Sequence, residues 1–368
     1  MSVVGLDIGT TALRAVELVE GKKKRTNIAR YHEIRLPQGA VTRGEVSQPE
    51  IVGPALKKLW TEGGFKSKNV VLGTGNYRTL VRDLSVPKAP LSQIKESLPF
   101  HMQGSLQIPI ENSLYDFYPI SESLSENGQM VNGLLITSEK QAVLNNIHNV
   151  ELSGLYPVEV DLIPFALSRL LVSRAHTVGT VALVEVGANT TSIVVAMNGV
   201  PNFVRIIPAG GDDLTDALRL GLDIEGYKAD VLKHTLRIGT DIASRDGAMS
   251  LTPECTCVKC QADLATIDDP RVQEILRTVS MDLLGSIRNT INYFNNVRPD
   301  EHVSEILLSG GGTQLAGFAE ALGEIIQLPV SVADPLSSIA FARKVSSDKW
   351  LAGGANFSVA LGLALREF

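Results

Sequence analysis

The stretch Gly5-Leu6-Asp7-Ile8-Gly9-Thr10-Thr11 decides the fold, because it joins two runs of β-branched and aliphatic residues through a short polar turn. These runs, from Val3 to Leu18, predict two strands of a hairpin. Glycine lets a backbone approach a ligand closely, and consecutive N–H groups and threonine hydroxyls can point at phosphate oxygens. The acid that ends the first strand suits a hydrated Mg²⁺. The stretch therefore predicts a phosphate-binding hairpin.

The same pattern recurs about half a chain later, in Leu183-Val184-Glu185-Val186-Gly187-Ala188-Asn189. Both stretches consist of a strand, an acid, an aliphatic residue, a glycine and a small polar turn, which indicates two pseudo-symmetric halves. A third element, Ser309-Gly310-Gly311-Gly312-Thr313, lies between a predicted buried strand and a helix. A glycine-rich turn before a helix N-terminus favours a bound nucleotide. The three elements together predict one nucleotide cleft between two halves.

The composition excludes several classes of protein. Of the 368 residues, 44% are hydrophobic, which is enough for a large buried core and excludes intrinsic disorder. The chain has 34 basic and 40 acidic residues and a net charge of −6, which argues against a general nucleic-acid binder. There is no long uninterrupted apolar stretch and no signal-peptide pattern, so we expect no direct membrane insertion. The 3 cysteines exclude a disulfide framework and favour a reducing cytoplasm.

The order of predicted elements divides the chain into six parts. From Asp83 onward, recurrent prolines mark a small inserted module. The predicted parts are a first half (1–83), an inserted small subdomain (84–162), an interdomain helix (163–177), a second-half core (178–211 and 297–350), a second-half small subdomain (212–296) and a returning interdomain helix (351–368). We also expect the polar stretch from Gly239 to Asp269 to be a surface loop.

The three glycine turns, in this order, resemble the nucleotide site of the actin, heat-shock chaperone and sugar kinase superfamily. The resemblance implies an α/β, actin-like ATPase fold, with two ribonuclease-H-like halves around a nucleotide cleft. It also implies that Asp161, at the start of the first interdomain helix, orients the metal or the attacking water. The helix from Ala355 to Arg366 is similar to the second interdomain helix of that fold, and Gly362 would let it pack closely.

A narrower resemblance covers nearly the whole chain. The sequence is similar to the PilM family of type IV pilus assembly proteins, and outside that family it also resembles the cell-division protein FtsA. The motifs that carry this resemblance are Arg82-Asp83-Leu84-Ser85-Val86-Pro87, Leu98-Pro99-Phe100, Ile108-Pro109-Ile110, Asp116-Phe117-Tyr118-Pro119-Ile120, Gly154-Leu155-Tyr156-Pro157, Val160-Asp161-Leu162, Gly210-Gly211-Asp212-Asp213-Leu214-Thr215, Asp230 to Lys233 and Ile287-Arg288-Asn289-Thr290-Ile291-Asn292-Tyr293-Phe294.

The resemblance implies a cytoplasmic scaffold protein that binds ATP or ADP with Mg²⁺. It further implies docking of the short cytoplasmic N-terminal segment of a membrane-anchored, single-span PilN-like partner, which would recruit this chain to the inner face of the cytoplasmic membrane. The partner segment would lie in an apolar groove within residues 78–165, beside the inserted subdomain. The nucleotide would contact Asp7, Gly9, Thr10, Thr11, Arg14, Gly187, Ala188, Asn189, Thr190, Gly210, Gly211, Asp230, Lys233, Gly310, Gly311, Gly312 and Thr313.

Three departures from the family pattern bear on hydrolysis. The family usually has Lys where this chain has Arg14, and Arg replaces a compact ammonium by a planar fork. The second loop usually begins with Asp and here begins with Glu185, which with Asp7 would hold the Mg²⁺. Asp230 stands where Glu is common, with Lys233 retained. Catalytic geometry tolerates such shifts poorly, so we expect nucleotide binding with slow or no hydrolysis, with Asp161 and Glu185 as the catalytic residues.

All the cysteines fall in one short segment, Cys255-Thr256-Cys257-Val258-Lys259-Cys260. Three thiolates are one short of a structural zinc site, and His234, Asp263 or a second chain could supply the fourth ligand. The alternative is a loop with incidental thiols, which the family resemblance favours because it implies no metal here.

Two other functions remain open from the sequence. An FtsA-like protein usually ends in a linker and an amphipathic membrane helix, whereas this sequence stops directly after the predicted final helix, from Ser358 to Arg366. We therefore expect membrane association to come from the partner. A sugar kinase of the same fold would need a catalytic Asp in the cleft. Asp161 and Asp212 are available, but the inserted module would have no role in that enzyme.

Overall fold

The structure is a computed structural model of the chain. It describes residues 3–20, 26–102, 109–126, 128–174, 177–239, 269–342, 345, 350 and 354–367. The strands are β1 (Val4–Ile8), β2 (Ala12–Glu20), β3 (Thr26–Arg35), β4 (Val41–Thr42), β5 (Glu45–Val46), β6 (Asn69–Thr74), β7 (Leu80–Pro87), β8 (Ser113–Ser125), β9 (Gly128–Glu139), β10 (Tyr156–Leu162), β11 (Thr180–Val186), β12 (Thr191–Met197), β13 (Val200–Ile207), β14 (Glu305–Ser309), β15 (Val330–Val332) and β16 (Ala340–Phe341). The α-helices are α1 (Pro49–Gly63), α2 (Leu91–Met102), α3 (Lys140–Leu152), α4 (Ile163–Ser168), α5 (Gly211–Leu222), α6 (Gly226–Thr235), α7 (Pro270–Val297), α8 (Phe318–Ile326) and α9 (Ser358–Ala364).

Two large sheets repeat one topology. The first has the order β10-β6-β1-β2-β3-β16, and the second has the order β13-β12-β11-β14-β15. In each sheet a three-stranded antiparallel meander (β1 to β3, and β11 to β13) is extended by parallel strands beside its first member. The central strands β1 and β11 are buried apolar runs because helices cover both faces of such a sheet. The predicted pair of halves around a cleft is confirmed.

The inserted module is a separate three-stranded antiparallel sheet in the order β7-β9-β8. Helix α2 packs on it through the buried residues Ile94, Leu98 and Met102. The inserted subdomain is shorter than the predicted range of residues 84–162. Strand β10, which falls in that range, pairs in parallel with β6 in the first large sheet. Helix α3 packs beside α1 and β5 and also belongs to the first half. Local sequence does not reveal which sheet a strand will join.

The chain returns to the first half earlier than the sequence predicts. The sequence places residues 297–350 in the second-half core, but β16 pairs in parallel with β3, with Ala340 opposite Asn27. An aromatic cluster then fixes this returning segment on the first sheet: Tyr31 contacts Phe341, Trp350 and Phe357 at ring-centroid distances of 6.0, 5.1 and 5.3 Å. The second half therefore reaches no further than β15 and the residues just after it.

Two interdomain helices lie between the halves, as predicted. The first consists of α4, which continues as one π-helical segment over Arg169–Ser173, and the second is α9. A Cβ at Gly362 would lie 2.3 Å from the Ala166 carbonyl oxygen, so only glycine lets α9 contact α4 at this point. One hydrophobic core cluster contains α4, α9 and residues of both sheets, among them Val16 and Val194. The halves therefore share a core.

Within the described residues, no helix combines the length and the apolar character that crossing a membrane requires. The longest is α7, which is amphipathic and buries only one face, including Leu284, Ile287 and Phe294.

Candidate functional site

A cleft of about 670 Å³ lies between the two halves. The three glycine turns predicted from the sequence all line it: the β1–β2 turn, the β11–β12 turn and the segment after β14. They meet there because β1, β11 and β14 are central strands of sheets that face each other across the cleft. The topology thus brings together residues that lie far apart in the sequence.

The two hairpin turns have the same backbone geometry. The Gly9 N–H donates to the Ala12 carbonyl at 3.1 Å, and the Gly187 N–H donates to the Thr190 carbonyl at 2.9 Å. The second turn is also tied to the N-terminus of α5, because the Gly211 N–H donates to the Gly187 carbonyl at 2.9 Å. The repeated hydrogen bond explains why the two sequences look alike: each makes a tight turn at the end of a central strand.

Asn189 connects the two turns across the cleft. Its Oδ1 accepts a hydrogen bond from the Thr10 hydroxyl at 2.9 Å, and its Nδ2 donates to Asp212 Oδ2 at 2.9 Å. Burial raises the pKa of Asp212, while the charge of nearby Lys233 opposes that effect. Asn189 therefore joins the first turn, the second turn and the start of α5 at one point.

Asp7 is buried at the end of β1 and faces the cleft. Burial raises the pKa of Asp7 to about 6, although the nearby Arg14 guanidinium lowers it. The Arg14 Nη1 lies 3.8 Å from Asp7 Oδ2, and its Nε donates to Glu33 Oε2 at 2.6 Å. The planar guanidinium therefore lies between two carboxylates, an arrangement that the single ammonium of a lysine would reproduce poorly.

Glu185 holds the corresponding position at the end of β11. Burial, reinforced by the charge of Asp7, raises the pKa of Glu185 to about 8. The residue after β14 closes over this carboxylate: Gly310 has φ +90°, and a Cβ there would lie 2.8 Å from Glu185 Oε1 and 2.4 Å from the Val186 carbonyl oxygen. A side chain at position 310 would thus be strained and would collide with the second turn.

A polar cluster at the other end of the cleft involves α5 and α6. Lys233 Nζ donates to Thr215 Oγ1 at 2.8 Å and lies 2.9 Å from Asp230 Oδ1. Apolar side chains line the cleft nearby, including Leu283 and Phe318. A site with a polar cluster beside apolar walls can hold a sugar and a flat ring together.

The described acidic side chains of the cleft can bind Mg²⁺ only together with phosphate oxygens, because too few of them lie close together to hold the metal by themselves. Within the part of the chain that the structure describes, no group of three or more His, Cys, Asp or Glu side chains is arranged to hold a metal by itself. Mg²⁺ commonly binds one or two carboxylates together with substrate phosphates and water. Asp7 and Glu185 supply that number of carboxylates.

The structure brings most of the predicted residues together. The cleft is lined by Asp7, Gly9, Thr10, Thr11, Arg14, Glu185, Gly187, Ala188, Asn189, Thr190, Gly210, Gly211, Asp230, Lys233, Gly310, Gly311 and Gly312. Thr313 is not in this lining, and its hydroxyl donates to the Gly310 carbonyl at 2.7 Å.

Asp161 is also outside the lining of the cleft. It lies near the end of β10, and its Oδ2 accepts a hydrogen bond from Arg169 Nη2 at 2.8 Å. The Arg169 Nη1 donates to the Gly362 carbonyl at 2.8 Å, so the pair joins β10, the first interdomain helix and α9. The Asp161 carboxylate thus links the interdomain helices, and its expected role of orienting a metal or a water stays a prediction.

Some lining residues were not among those predicted to contact the nucleotide. Asp212, named from the sequence only as a possible catalytic acid of a kinase, follows Gly210-Gly211 directly, and that glycine pair was a usable signal. Asn356 also lines the cleft, but it precedes α9 in a segment with no motif, so nothing in the sequence marks it. The cysteines Cys255, Cys257 and Cys260, Asp263, and nearly all of the loop expected from Gly239 to Asp269 lie outside the described residues.

The match to a known family accounts for this geometry. The model of the family described as "Type IV pilus assembly protein PilM" matches residues 5–245 and 259–368. The chain belongs to the PilM family. The match passes over residues 246–258, which include Cys255 and Cys257.

Solved structures and curated relatives agree with this membership. A structure titled "PilM-PilN type IV pilus biogenesis complex" has a TM-score of 0.81 and 24% identity, covering 100% of this chain and 98% of that chain. A structure of MreB5 from Spiroplasma citri bound to ADP has a TM-score of 0.50 and 14% identity, covering 100% and 96%. The cell division protein FtsA of Bacillus subtilis is 25% identical over 359 residues, covering 90% of this chain and 78% of FtsA. This member of the PilM family thus has an actin-like fold.

Proposed function

We propose that this protein is a cytoplasmic, ATP-binding scaffold in the assembly of a type IV pilus or a related secretion machine. In this function it docks the cytoplasmic N-terminal segment of a PilN-like, single-span membrane partner and is recruited to the inner face of the cytoplasmic membrane. The observation that carries the nucleotide part is the convergence of three glycine turns and two carboxylates, Asp7 and Glu185, on one cleft.

The cleft divides into regions that match the parts of a nucleotide. The two hairpin turns offer backbone N–H groups and hydroxyls to phosphates, and Asp7 and Glu185 would hold a Mg²⁺ that offsets the negative charge of the phosphates. The cluster of Asp230, Lys233 and Thr215 suits the hydroxyls of a ribose. The actin-like structure of MreB5 was solved with ADP, which supports ATP or ADP as the ligand class here.

The same residues favour slow hydrolysis or none. Of the two residues expected to be catalytic, Asp161 is bound to Arg169 outside the lining of the cleft. Glu185 has one methylene more than the Asp that usually begins this loop, and catalytic geometry tolerates such a displacement of a carboxylate poorly. We therefore infer a weak ATPase at most.

The inserted sheet supports docking of a partner segment. Its surface exposes large apolar side chains, with Phe100 of α2 at 75% and Leu124 of β8 at 82% of full exposure. Strand β8 is also an edge of its sheet, with unpaired backbone groups that an extended peptide can use. The solved complex of PilM with PilN supports a PilN-like segment as the occupant.

Calorimetric titration tests the nucleotide. The wild-type protein should bind Mg·ATP, and Asp7→Ala should bind it much more weakly because it removes a metal ligand. Glu62→Ala, an exposed acid on α1, is the matched control and should bind normally. Absence of binding in the wild-type protein would refute the nucleotide function, and phosphorylation of a sugar in the same preparation would favour the kinase alternative.

Capture by an immobilised peptide tests the partner. The peptide should carry the cytoplasmic N-terminal segment of a PilN-like protein from the same genome, and Phe100→Ser should weaken its capture of the full chain. Val178→Ser changes an equally exposed apolar residue, at 84% exposure, next to the second sheet and serves as control. Equal capture of both variants would refute docking on the inserted subdomain, and no capture of the wild-type protein would refute the proposed partner.

A further inference from the structure

The hairpin of β4 and β5 has a strained tip beside the cleft. Its two central residues, Arg43 and Gly44, have φ values of +52° and +83°. Such a turn normally takes asparagine, aspartate or glycine at its first position, because a bulkier side chain is strained in the left-handed region. Gly44 lines the cleft. An arginine at this position therefore has a conformational cost that hairpin formation alone does not explain.

A buried asparagine of α3 holds the hairpin in place. Asn146 Oδ1 accepts a hydrogen bond from the Val46 N–H at 3.0 Å, and its Nδ2 donates to the Gly44 carbonyl at 2.8 Å. The side chain is buried, so both bonds are shielded from water. The Asn146 amide thus uses both its donor and its acceptor on the backbone that flanks Arg43.

The hairpin tip contacts the second phosphate turn across the cleft. The Arg43 N–H donates to Asn189 Oδ1 at 3.4 Å, and the Thr10 hydroxyl donates to the same oxygen at 2.9 Å. Two donors of the first half thus converge on one neutral carbonyl oxygen of the second half. A phosphate oxygen is a stronger acceptor for these donors because hydrogen bonds to a charged group are shorter and stronger.

The Arg43 side chain is exposed at the rim of the cleft. Its guanidinium lies 5.2 Å from the centroid of the Tyr77 ring, a contact that orients it without neutralising its charge. By contrast, Arg14 is paired with Glu33, and Lys233 is paired with Asp230. The cleft walls carry many carboxylates, and a triphosphate brings further negative charge. A cation that can turn from a ring to a phosphate suits this site.

We propose that the β4–β5 hairpin is a third phosphate-contacting segment of the cleft, that Arg43 contacts the terminal phosphate of a bound nucleoside triphosphate, and that Asn146 is a positioning residue that holds Arg43 there. This inference rests on the proposed nucleotide function and deepens it. It assigns to the first half a residue that distinguishes a triphosphate from a diphosphate.

Titration of the full chain with Mg·ATP and with Mg·ADP tests the contact. Arg43→Ala should lower the affinity for Mg·ATP about tenfold and that for Mg·ADP less than about threefold, as expected for one charged hydrogen bond. Arg78→Ala is the matched control, because the Arg78 guanidinium also lies over the Tyr77 ring, at 5.3 Å, but its hydrogen bonds are to Tyr77 and Glu139. An unchanged ratio of the two affinities in Arg43→Ala would overturn the inference.

A double-mutant cycle tests the positioning role of Asn146. Asn146→Ala should lower the ATP-to-ADP affinity ratio in the wild-type background and should have no further effect on it in the Arg43→Ala background. Asn145→Ala, an exposed neighbour on the same helix, is the control. A merely structural role would lower both affinities equally, and additive losses would also refute positioning. Failure of the wild-type protein to bind either nucleotide would instead refute the proposed function itself.

Discussion

Two buried acids determine the electrostatics of the cleft. Asp7 and Glu185 end corresponding strands, and their pKa values are raised to about 6 and about 8, with burial as the main cause. The Arg14 guanidinium lies close enough to Asp7 to offset part of the rise in its pKa that burial causes. At neutral pH in the nucleotide-free protein, Asp7 of this pair is therefore mostly ionised and Glu185 mostly protonated, and a divalent cation would favour ionisation of both.

The stability of the nucleotide-free protein should depend on Glu185. In the unfolded chain this group loses its proton near pH 4.5, whereas in the folded chain it keeps the proton to about pH 8. Between these values the folded state binds more protons, so its free energy of unfolding falls as the pH rises. Glu185→Gln cannot ionise, and its advantage over the wild-type protein should grow across this window. Urea denaturation of both proteins at several pH values, with a chelator present to remove metal ions, measures this difference in the free energy of unfolding.

Glu96→Gln, an exposed acid on α2, is the control for that experiment and should keep the pH dependence of the wild-type protein. If Glu185→Gln loses stability with rising pH as steeply as the wild-type protein does, the assignment of the proton to Glu185 is wrong.

At the scale of elements, the contact between α4 and α9 depends on a single glycine. Gly362 faces the Ala166 carbonyl, and the Arg169 Nη1 donates to the Gly362 carbonyl. Along the edge of this contact, Arg169 also binds Asp161 of β10. The three elements are therefore fixed to one another through both packing and a charged hydrogen bond.

Replacing this glycine should destabilise the fold. In Gly362→Ala the new Cβ would lie 2.3 Å from the Ala166 carbonyl oxygen, so the helices must move apart at a cost of about 1–3 kcal/mol. Gly285 is also within a helix, α7, and a Cβ added there would meet nothing within 4 Å. Gly285→Ala should therefore stabilise the protein by about 0.5–1 kcal/mol. Urea denaturation compares them, and equal effects would contradict the close-packing argument.

Sequence patterns predict the elements well where the pattern is local. The acid and glycine of each turn follow an apolar strand, and this arrangement predicted β1, β2, β11 and β12 and their meeting at a cleft. Strand partners are not local: nothing in Tyr156–Leu162 specifies pairing with β6, and the two-residue strand Ala340–Phe341 is too short for any periodicity. The pairing of Asp161 with Arg169 could not be predicted for the same reason, because it depends on the path of the helix.

At the scale of the whole molecule, the shared core makes the halves one cooperative unit. Leu167 of α4 is buried in a cluster that contains Leu18 of the first sheet and Leu183 of the second. The inserted sheet also contributes to this cluster, through Leu134 of β9. A substitution that removes contacts in the middle of this cluster should therefore lower the stability of both halves and of the inserted module.

Leu167→Ala should lower the stability of both halves together. The lost contacts and the cavity should cost about 2–5 kcal/mol, while unfolding remains a single transition. Trp60 and Trp350, the 2 tryptophans of the chain, both lie in the first half. Fluorescence of Trp350 in a Trp60→Phe variant therefore follows the first half, and a tryptophan introduced by Phe203→Trp in a Trp60→Phe, Trp350→Phe background follows the second. Both probes should shift by the same amount. Leu144→Ala, on the surface of α3, is the control, and a shift seen by one probe alone would refute a common core.

The position of β16 has a consequence for biosynthesis. Within the described residues, strand β3 gains its outer neighbour from residues 340–341, and α9 packs on β1, where the Ala360 carbonyl lies against Gly5. On the ribosome, the first half emerges long before these segments are made, so it carries an open strand edge and bare apolar surface during most of translation. The first half would therefore reach its native form only after these late segments have been synthesised.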